Sequence, residues 1–84
     1  MTDIHAFDSL LRNYLATELA LPMAEVEDST RIFSEGYLDS FSMVELVVWL
    51  EKTFAVKFGA LDINLENLDT IEHMRRFVTT RTPR

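Results

Sequence analysis

Between Thr2 and Ala20, apolar side chains return at steps of three and four. Ile4, Phe7, Leu11, Tyr14 or Leu15, and Leu19 alternate with Asp8, Arg12, Asn13 and Glu18. This spacing gathers the apolar set on one stripe of an amphipathic helix. Thr2 or Asp3 can cap that helix, and Pro22 stops it, because the residue before a proline is pushed out of the α region. From Met23 to Asp39 no period persists: Glu25, Asp28, Ser29, Thr30, Ser34 and Gly36 are loop formers. Val26, Ile32, Phe33 and Leu38 are spaced through them, so the segment reads as a long loop pinned to a core. Loops of this length inside a compact domain are usually functional. This one delivers Asp39 and Ser40 to the start of a helix.

That second helix, about Phe41 to Phe54, carries its main stripe at Met43, Leu46, Val47, Leu50 and Phe54. Its three valines favour a strand on propensity, but the length, the regular stripe and the lack of an internal breaker favour helix. Gly59 marks a turn. Asp62 to Leu65 is predicted as a short helical turn, followed by Asn67 and Asp69 as breakers. Asp69 or Thr70 then caps a last helix, with Ile71, Met74, Phe77 and Val78 facing inward and Glu72, Arg75 and Arg76 facing out. Thr79 to Arg84 reads as a frayed, flexible tail. No internal repeat or low-complexity tract interrupts the order. The predicted fold is all-α: a single domain over residues 1–84, a four-helix bundle of three main helices and one short third helix.

Composition agrees with the pattern. The chain has 84 residues, 48% of them hydrophobic, with two glycines, two prolines and no cysteine. That punctuation is too sparse for an all-β domain, and neither a disulfide framework nor a cysteine metal site is available. Apolar packing alone must hold the fold. No apolar run reaches the roughly 18 residues of a membrane span. A basic segment followed by an apolar block, as in a secretory signal, is also missing, so the cytoplasm is the expected compartment. The net charge of −6 argues against a partner bound through nucleic-acid phosphates. It is unevenly placed, −8 over residues 1–51 and +2 over residues 52–84. An acidic half steers basic partners toward itself, or serves solubility alone.

The segment with chemical potential is Gly36-Tyr37-Leu38-Asp39-Ser40-Phe41-Ser42-Met43-Val44-Glu45-Leu46. A serine at the first position of a helix, at the end of a loop, presents its hydroxyl beside backbone N–H groups and the positive end of the helix dipole. Both suit a phosphate ester. Asp39 adds a negative charge that a basic modifying enzyme or its metal ion can read. On local physics alone, however, Ser40 is a helix cap, and Ser42 with Glu45 has the spacing of a capping box. Other chemistry is excluded. His5 and His73 are not paired by spacing with any serine or carboxylate. Ser40 lacks the Gly-x-Ser-x-Gly elbow of a hydrolase nucleophile. A calcium loop centred on Gly36 would place Arg31 and Phe33 at its first ligand positions. The chain is therefore expected to be neither an enzyme nor a metal protein.

Asp39-Ser40-Phe41, followed by Met43-Val44-Glu45-Leu46-Val47, resembles the Asp-Ser-Leu motif and "VEL" helix of acyl carrier proteins. Gly36 matches the glycine found shortly upstream in that family, and chain length and helix order agree. The resemblance implies that Ser40 takes 4′-phosphopantetheine from coenzyme A through a phosphopantetheinyl transferase, and that the arm's thiol holds a cargo as a thioester. It also implies an acyl- or aminoacyl-loading ligase and downstream transferases as partners, and a monomeric carrier. In such carriers one face of the second helix meets the partner enzymes, which carries that role to Asp39, Phe41, Val44, Glu45 and Val48. The chain departs from fatty-acid carriers in the low acidity of this helix, which has only Glu45 and Glu51 before Lys52. Trp49 is unexpected there, and the acids sit in the loop at Glu25, Glu27, Asp28 and Glu35. Gly-x-Leu-Asp-Ser-Phe also resembles carriers loaded with amino acids, such as D-alanyl carriers. The competing reading is an unmodified helical interaction module that uses the same Phe41, Val44 and Val48 face.

Overall fold

The computed structural model describes residues 4–81, and these form four α-helices without a strand. Helix α1 is Ile4–Thr17, α2 is Ser40–Phe54, α3 is Leu65–Leu68 and α4 is Ile71–Arg81, with short 3₁₀ turns at Met23–Glu25 and Ala60–Asp62. The predicted cap at Thr2 or Asp3 lies outside the described residues. The core draws on every long helix and on the loop: Phe7, Leu11 and Leu15 from α1, Ile32 from the loop, Leu46 and Leu50 from α2, and Ile71, Met74 and Val78 from α4 are all fully buried. The predicted stripes thus face inward. In α1, Tyr14 and Leu15 are both buried rather than one of the two.

Helix ends differ from the sequence expectation for identifiable reasons. Helix α1 stops at Thr17, ahead of Pro22, because Ala20 takes a left-handed conformation at φ 55° and the Leu21 N–H returns to the Leu15 carbonyl at 3.0 Å. Leu21 is thereby buried. Helix α2 ends at Phe54 as the spacing predicts, also through a left-handed alanine, Ala55 at φ 56°. The Glu51 carboxylate then accepts the Phe58 N–H at 2.8 Å and directs the chain away from the helix. The short helix begins later than predicted. Asn64 caps it by accepting the Asn67 N–H at 3.0 Å, so Asn67 is helical instead of a breaker. Helix α4 continues through Thr79 and Thr80 to Arg81, where the sequence suggested a tail from Thr79. The hydroxyls of Thr79 and Thr80 return to carbonyls one turn earlier.

Two polar clusters tie the loop to the helices. Thr70 caps α4 through the His73 N–H at 2.9 Å, which leaves the neighbouring Asp69 for a different task. Asp69 is buried, and its carboxylate accepts the N–H groups of Phe33 and Ser34, both at 2.9 Å, together with the Ser34 hydroxyl. Its backbone carbonyl takes the Ile32 N–H at 2.8 Å. Burial pushes the Asp69 carboxyl up, but the Ser34 hydroxyl, the two N–H donors and the Arg31 charge outweigh it and hold the group below the ordinary carboxylate value. In the second cluster Arg75 forks onto Asp8 at 2.8 and 2.9 Å and reaches Asp28 at 2.8 Å, while Arg12 also pairs with Asp28. Arg75 is therefore a half-buried clasp joining α1, the loop and α4, not the outward-facing charge predicted.

Removing the Asp69 carboxylate strands two backbone N–H groups, so Asp69→Ala is expected to lower stability by about 2–3 kcal/mol, measured by urea unfolding. The unfolded chain protonates this carboxyl near the ordinary value of ~3.9, and the folded chain does so only at lower pH. Its stabilisation is thus complete above the unfolded value and lost as pH falls through the folded one. Unfolding free energy should fall with acidification more steeply in the wild type than in Asp69→Asn. At Ala55, a left-handed alanine that is exposed to solvent, Ala55→Gly is expected to raise stability by about 0.5–1 kcal/mol. A raised urea midpoint with an unchanged slope checks this.

Candidate functional site

The path from the Asp69 clamp to Ser40 is short. Ile32 is fixed by its N–H bond to Asp69 and by complete burial. The chain then folds back on itself through the Glu35 N–H to the Arg31 carbonyl and the Gly36 N–H to the Phe33 carbonyl. Gly36 sits at φ +87°, where an L side chain is strained even though open space surrounds the position. The Leu38 N–H closes the loop onto the Ile32 carbonyl at 2.9 Å, and the Leu38 side chain is buried. The loop is thus anchored two residues before Ser40.

Asp39 follows in extended conformation and is the true N-cap of α2, accepting the Ser42 N–H at 2.9 Å. Ser40 is therefore the first helical residue and not the cap, and Ser42 lies inside the helix rather than opening a capping box. Hydrogen bonds from the Ser42 N–H and the Ser42 hydroxyl hold the Asp39 carboxyl below its ordinary value, so it is ionised at neutral pH. Ser40 is exposed, and among the described residues its hydroxyl has no hydrogen-bond partner. A free hydroxyl at the positive end of a 15-residue helix fits a phosphoester, because the uncompensated N–H dipoles there favour anionic oxygens.

Helix α2 presents two apolar faces. Leu46, Val47, Leu50 and Phe54 are buried in the core, and Met43 is half-buried beside them. Phe41, Val44 and Val48 are 73%, 59% and 43% exposed, and Glu45 is exposed between them. The sequence reading placed Asp39, Phe41, Val44, Glu45 and Val48 together, and all five are open to solvent along the first half of α2. It did not find a partner for Trp49. That ring stacks on Tyr14 of α1, centroids 4.3 Å apart and 14° from parallel, and meets the edge of Phe54 at 5.6 Å. Burial, followed by the charges of Glu45 and Glu18, pushes the Tyr14 phenol up, so it remains neutral. Phe41, Val44, Val48, Trp49 and Lys52 line a shallow groove of about 430 Å³ whose far wall is Tyr14. The adjacent Tyr14 and Leu15, both apolar where one would complete the α1 stripe, were the sequence's only trace of this second contact.

Among the described residues no group of histidine and carboxylate side chains is placed to hold a metal ion, and no helix is long and apolar enough to cross a membrane. Residues 9–78 match the family described as phosphopantetheine attachment site. The chain is 32% identical over 73 residues to the acyl carrier protein of Onion yellows phytoplasma (strain OY-M), covering 87% of this chain and 93% of that one. It is 31% identical over 72 residues to the acyl carrier protein of Aster yellows witches'-broom phytoplasma (strain AYWB), covering 86% and 92%. No solved structure matches significantly. A free helix-start hydroxyl on a rigidly delivered loop, inside a helical fold matched to this family over most of its length, has one consistent meaning: the chain belongs to the acyl carrier protein family, a carrier rather than a catalyst, with 4′-phosphopantetheine as its prosthetic group.

Proposed function

We propose that Ser40 receives the 4′-phosphopantetheine arm and that the chain presents an acyl or aminoacyl thioester to enzymes docking on the outer face of α2. One observation carries this reading: the Ser40 hydroxyl is exposed and uncommitted at the helix start because Asp39 has taken over the capping role. When bound, the arm supplies the thiol that this cysteine-free chain lacks. The chain's own residues do the rest. The N-terminal dipole of α2 offsets the phosphate charge. Asp39 stays ionised beside it as a mark for a basic phosphopantetheinyl transferase. Phe41, Val44 and Val48 give that transferase, a loading ligase and later acyltransferases an apolar surface, with Glu45 at its edge. Coenzyme A as arm donor makes the cytoplasm the compartment of loading, and a monomer leaves this face open.

Incubation with coenzyme A and a promiscuous phosphopantetheinyl transferase, followed by intact mass measurement, tests the attachment. The wild type should gain one arm and Ser40→Ala none. Ser40 caps nothing, so Ser40→Ala should keep its helical circular dichroism and its stability within about 0.5 kcal/mol. No adduct on the wild type, or an equal adduct on the variant, overturns the assignment. For the docking face, Phe41→Ala truncates the most exposed anchor. It should lower kcat/KM for arm transfer roughly tenfold, on the order of 1–2 kcal/mol of lost contact, while leaving the urea midpoint unchanged.

A further inference from the structure

Every polar group of Asp69 has a partner. Its N–H closes α3 on the Leu65 carbonyl at 2.9 Å, and its carbonyl accepts the Ile32 N–H at 2.8 Å. One carboxylate oxygen accepts the N–H groups of Phe33 and Ser34, and the other accepts the Ser34 hydroxyl. The remaining backbone bonds of residues 31–38 are internal: Glu35 to Arg31, Gly36 to Phe33 and Leu38 to Ile32. Among the described residues, every hydrogen bond that ties this segment to the rest of the chain therefore ends on Asp69. Ile32 and Leu38 add buried side chains, and Phe33 and Tyr37 pack against the core. Such apolar contacts are non-directional. They keep the segment on the core, whereas the course of its backbone is set by the directional bonds to Asp69.

Taking Ser40 as the attachment point, we propose that Asp69 is a positioning residue for arm transfer, holding residues 31–38 in the conformation that brings Ser40 to the transferase without touching Ser40 itself. The chain of contacts is continuous. Asp69 fixes Ile32, the Ile32 carbonyl takes the Leu38 N–H, and Leu38 is followed directly by the extended Asp39 that caps α2. Without the carboxylate, the Phe33 and Ser34 N–H groups must find water or other partners, and the segment exchanges among several conformations. A transferase that accepts one of them meets only a fraction of the molecules, and its apparent affinity falls by that fraction. In the molecules it does bind, the Ser40 hydroxyl and the α2 dipole are unaltered, so the transfer step keeps its rate. Asparagine preserves the arrangement, because its oxygen can accept both N–H groups and its amide can donate to the Ser34 hydroxyl.

Arm transfer from coenzyme A by a promiscuous phosphopantetheinyl transferase, followed by intact mass over a range of chain concentrations, gives KM and kcat separately. Asp69→Ala should raise KM for the chain roughly tenfold at unchanged kcat, and Asp69→Asn should stay within about twofold of wild type. Ser34→Ala removes one bond and no backbone donor; it should raise KM about twofold and serves where Asp69→Ala does not fold. Val78 is fully buried in α4, so Val78→Ala opens a cavity while leaving the Asp69 bonds in place. This control should lower the urea midpoint and leave KM unchanged. Amide exchange at Leu38 should quicken about tenfold in Asp69→Ala but not in Val78→Ala. A folded Asp69→Ala with wild-type KM, or a rise in KM shared equally by Val78→Ala, overturns the inference and leaves attachment at Ser40 intact. A rise in Asp69→Asn equal to that in Asp69→Ala overturns it as well. A wild-type chain that accepts no arm overturns the attachment reading and this inference with it.

Discussion

The Asp69 carboxylate is the contact on which the geometry around Ser40 depends. It lies between α3 and α4, yet its partners are the N–H groups of Phe33 and Ser34, some thirty-five positions earlier in the chain. A carboxylate buried to this degree is unfavourable unless its lone pairs are filled. Here two backbone donors and a hydroxyl fill them, and the Asp69 carbonyl takes the Ile32 N–H as well. The later half of the 22-residue connection between α1 and α2 is thereby fixed by a residue distant in sequence. Gly36 then turns the chain, Leu38 locks onto Ile32, and Asp39 is left in the extended geometry an N-cap requires. The position of Ser40 follows from these steps rather than from any contact made by Ser40 itself.

The second clasp complements the first. Arg75 binds Asp8 and Asp28 together, and Arg12 shares Asp28, so the loop is held near its middle as it is held by Asp69 closer to α2. Hydrogen bonds from Arg75 lead the causes that keep the Asp28 carboxyl below its ordinary value, with Arg12 adding to them against partial burial. These pairs are partly solvated, and isolated exposed pairs contribute little. A planar guanidinium gripping one aspartate with two parallel bonds while touching a second fixes geometry more than it adds energy. Three chain segments converge on that single side chain.

These two clasps are also where the sequence was least legible. Amphipathic stripes are local, so Phe7, Leu11, Leu46, Leu50, Met74 and Val78 could be assigned inward from spacing alone, and the loop anchors Val26, Ile32 and Leu38 stood out as apolar residues among polar ones. The motif around Ser40 stood out only through its resemblance to acyl carrier proteins, since local physics read Ser40 as the cap that Asp39 supplies. Asp69 was not legible: two adjacent capping residues, Asp69 and Thr70, left open which one capped α4, and nothing local reveals a hydrogen bond spanning half the chain. Arg75 falls on the polar side of the α4 stripe, and only the arrival of Asp8 and Asp28 from elsewhere turns it inward. The end of α2 at Phe54 was legible, whereas α1 was read on to Ala20 because alanine is a strong helix former; there it is left-handed, ahead of the buried Leu21. Trp49 was read as a surface anomaly because its partner Tyr14 lies on a different helix.

In the proposed docking role, the outer surface of α2 would separate two aspects of recognition that a more acidic helix would combine. Asp39 keeps its charge at the helix start, and beyond it the exposed face of α2 carries one acid and one base, Glu45 and Lys52. The negative charge of the first half of the chain resides instead in the loop, where Glu25, Glu27 and Glu35 are exposed and Asp28 is partly neutralised by two arginines. In that proposed role, long-range attraction of a basic partner would act through the loop, and short-range contact through Phe41, Val44 and Val48. Charge pattern sets encounter and register more than it sets affinity, so the strength of a contact on α2 must come from apolar burial. The same three side chains line the groove beside Ser40.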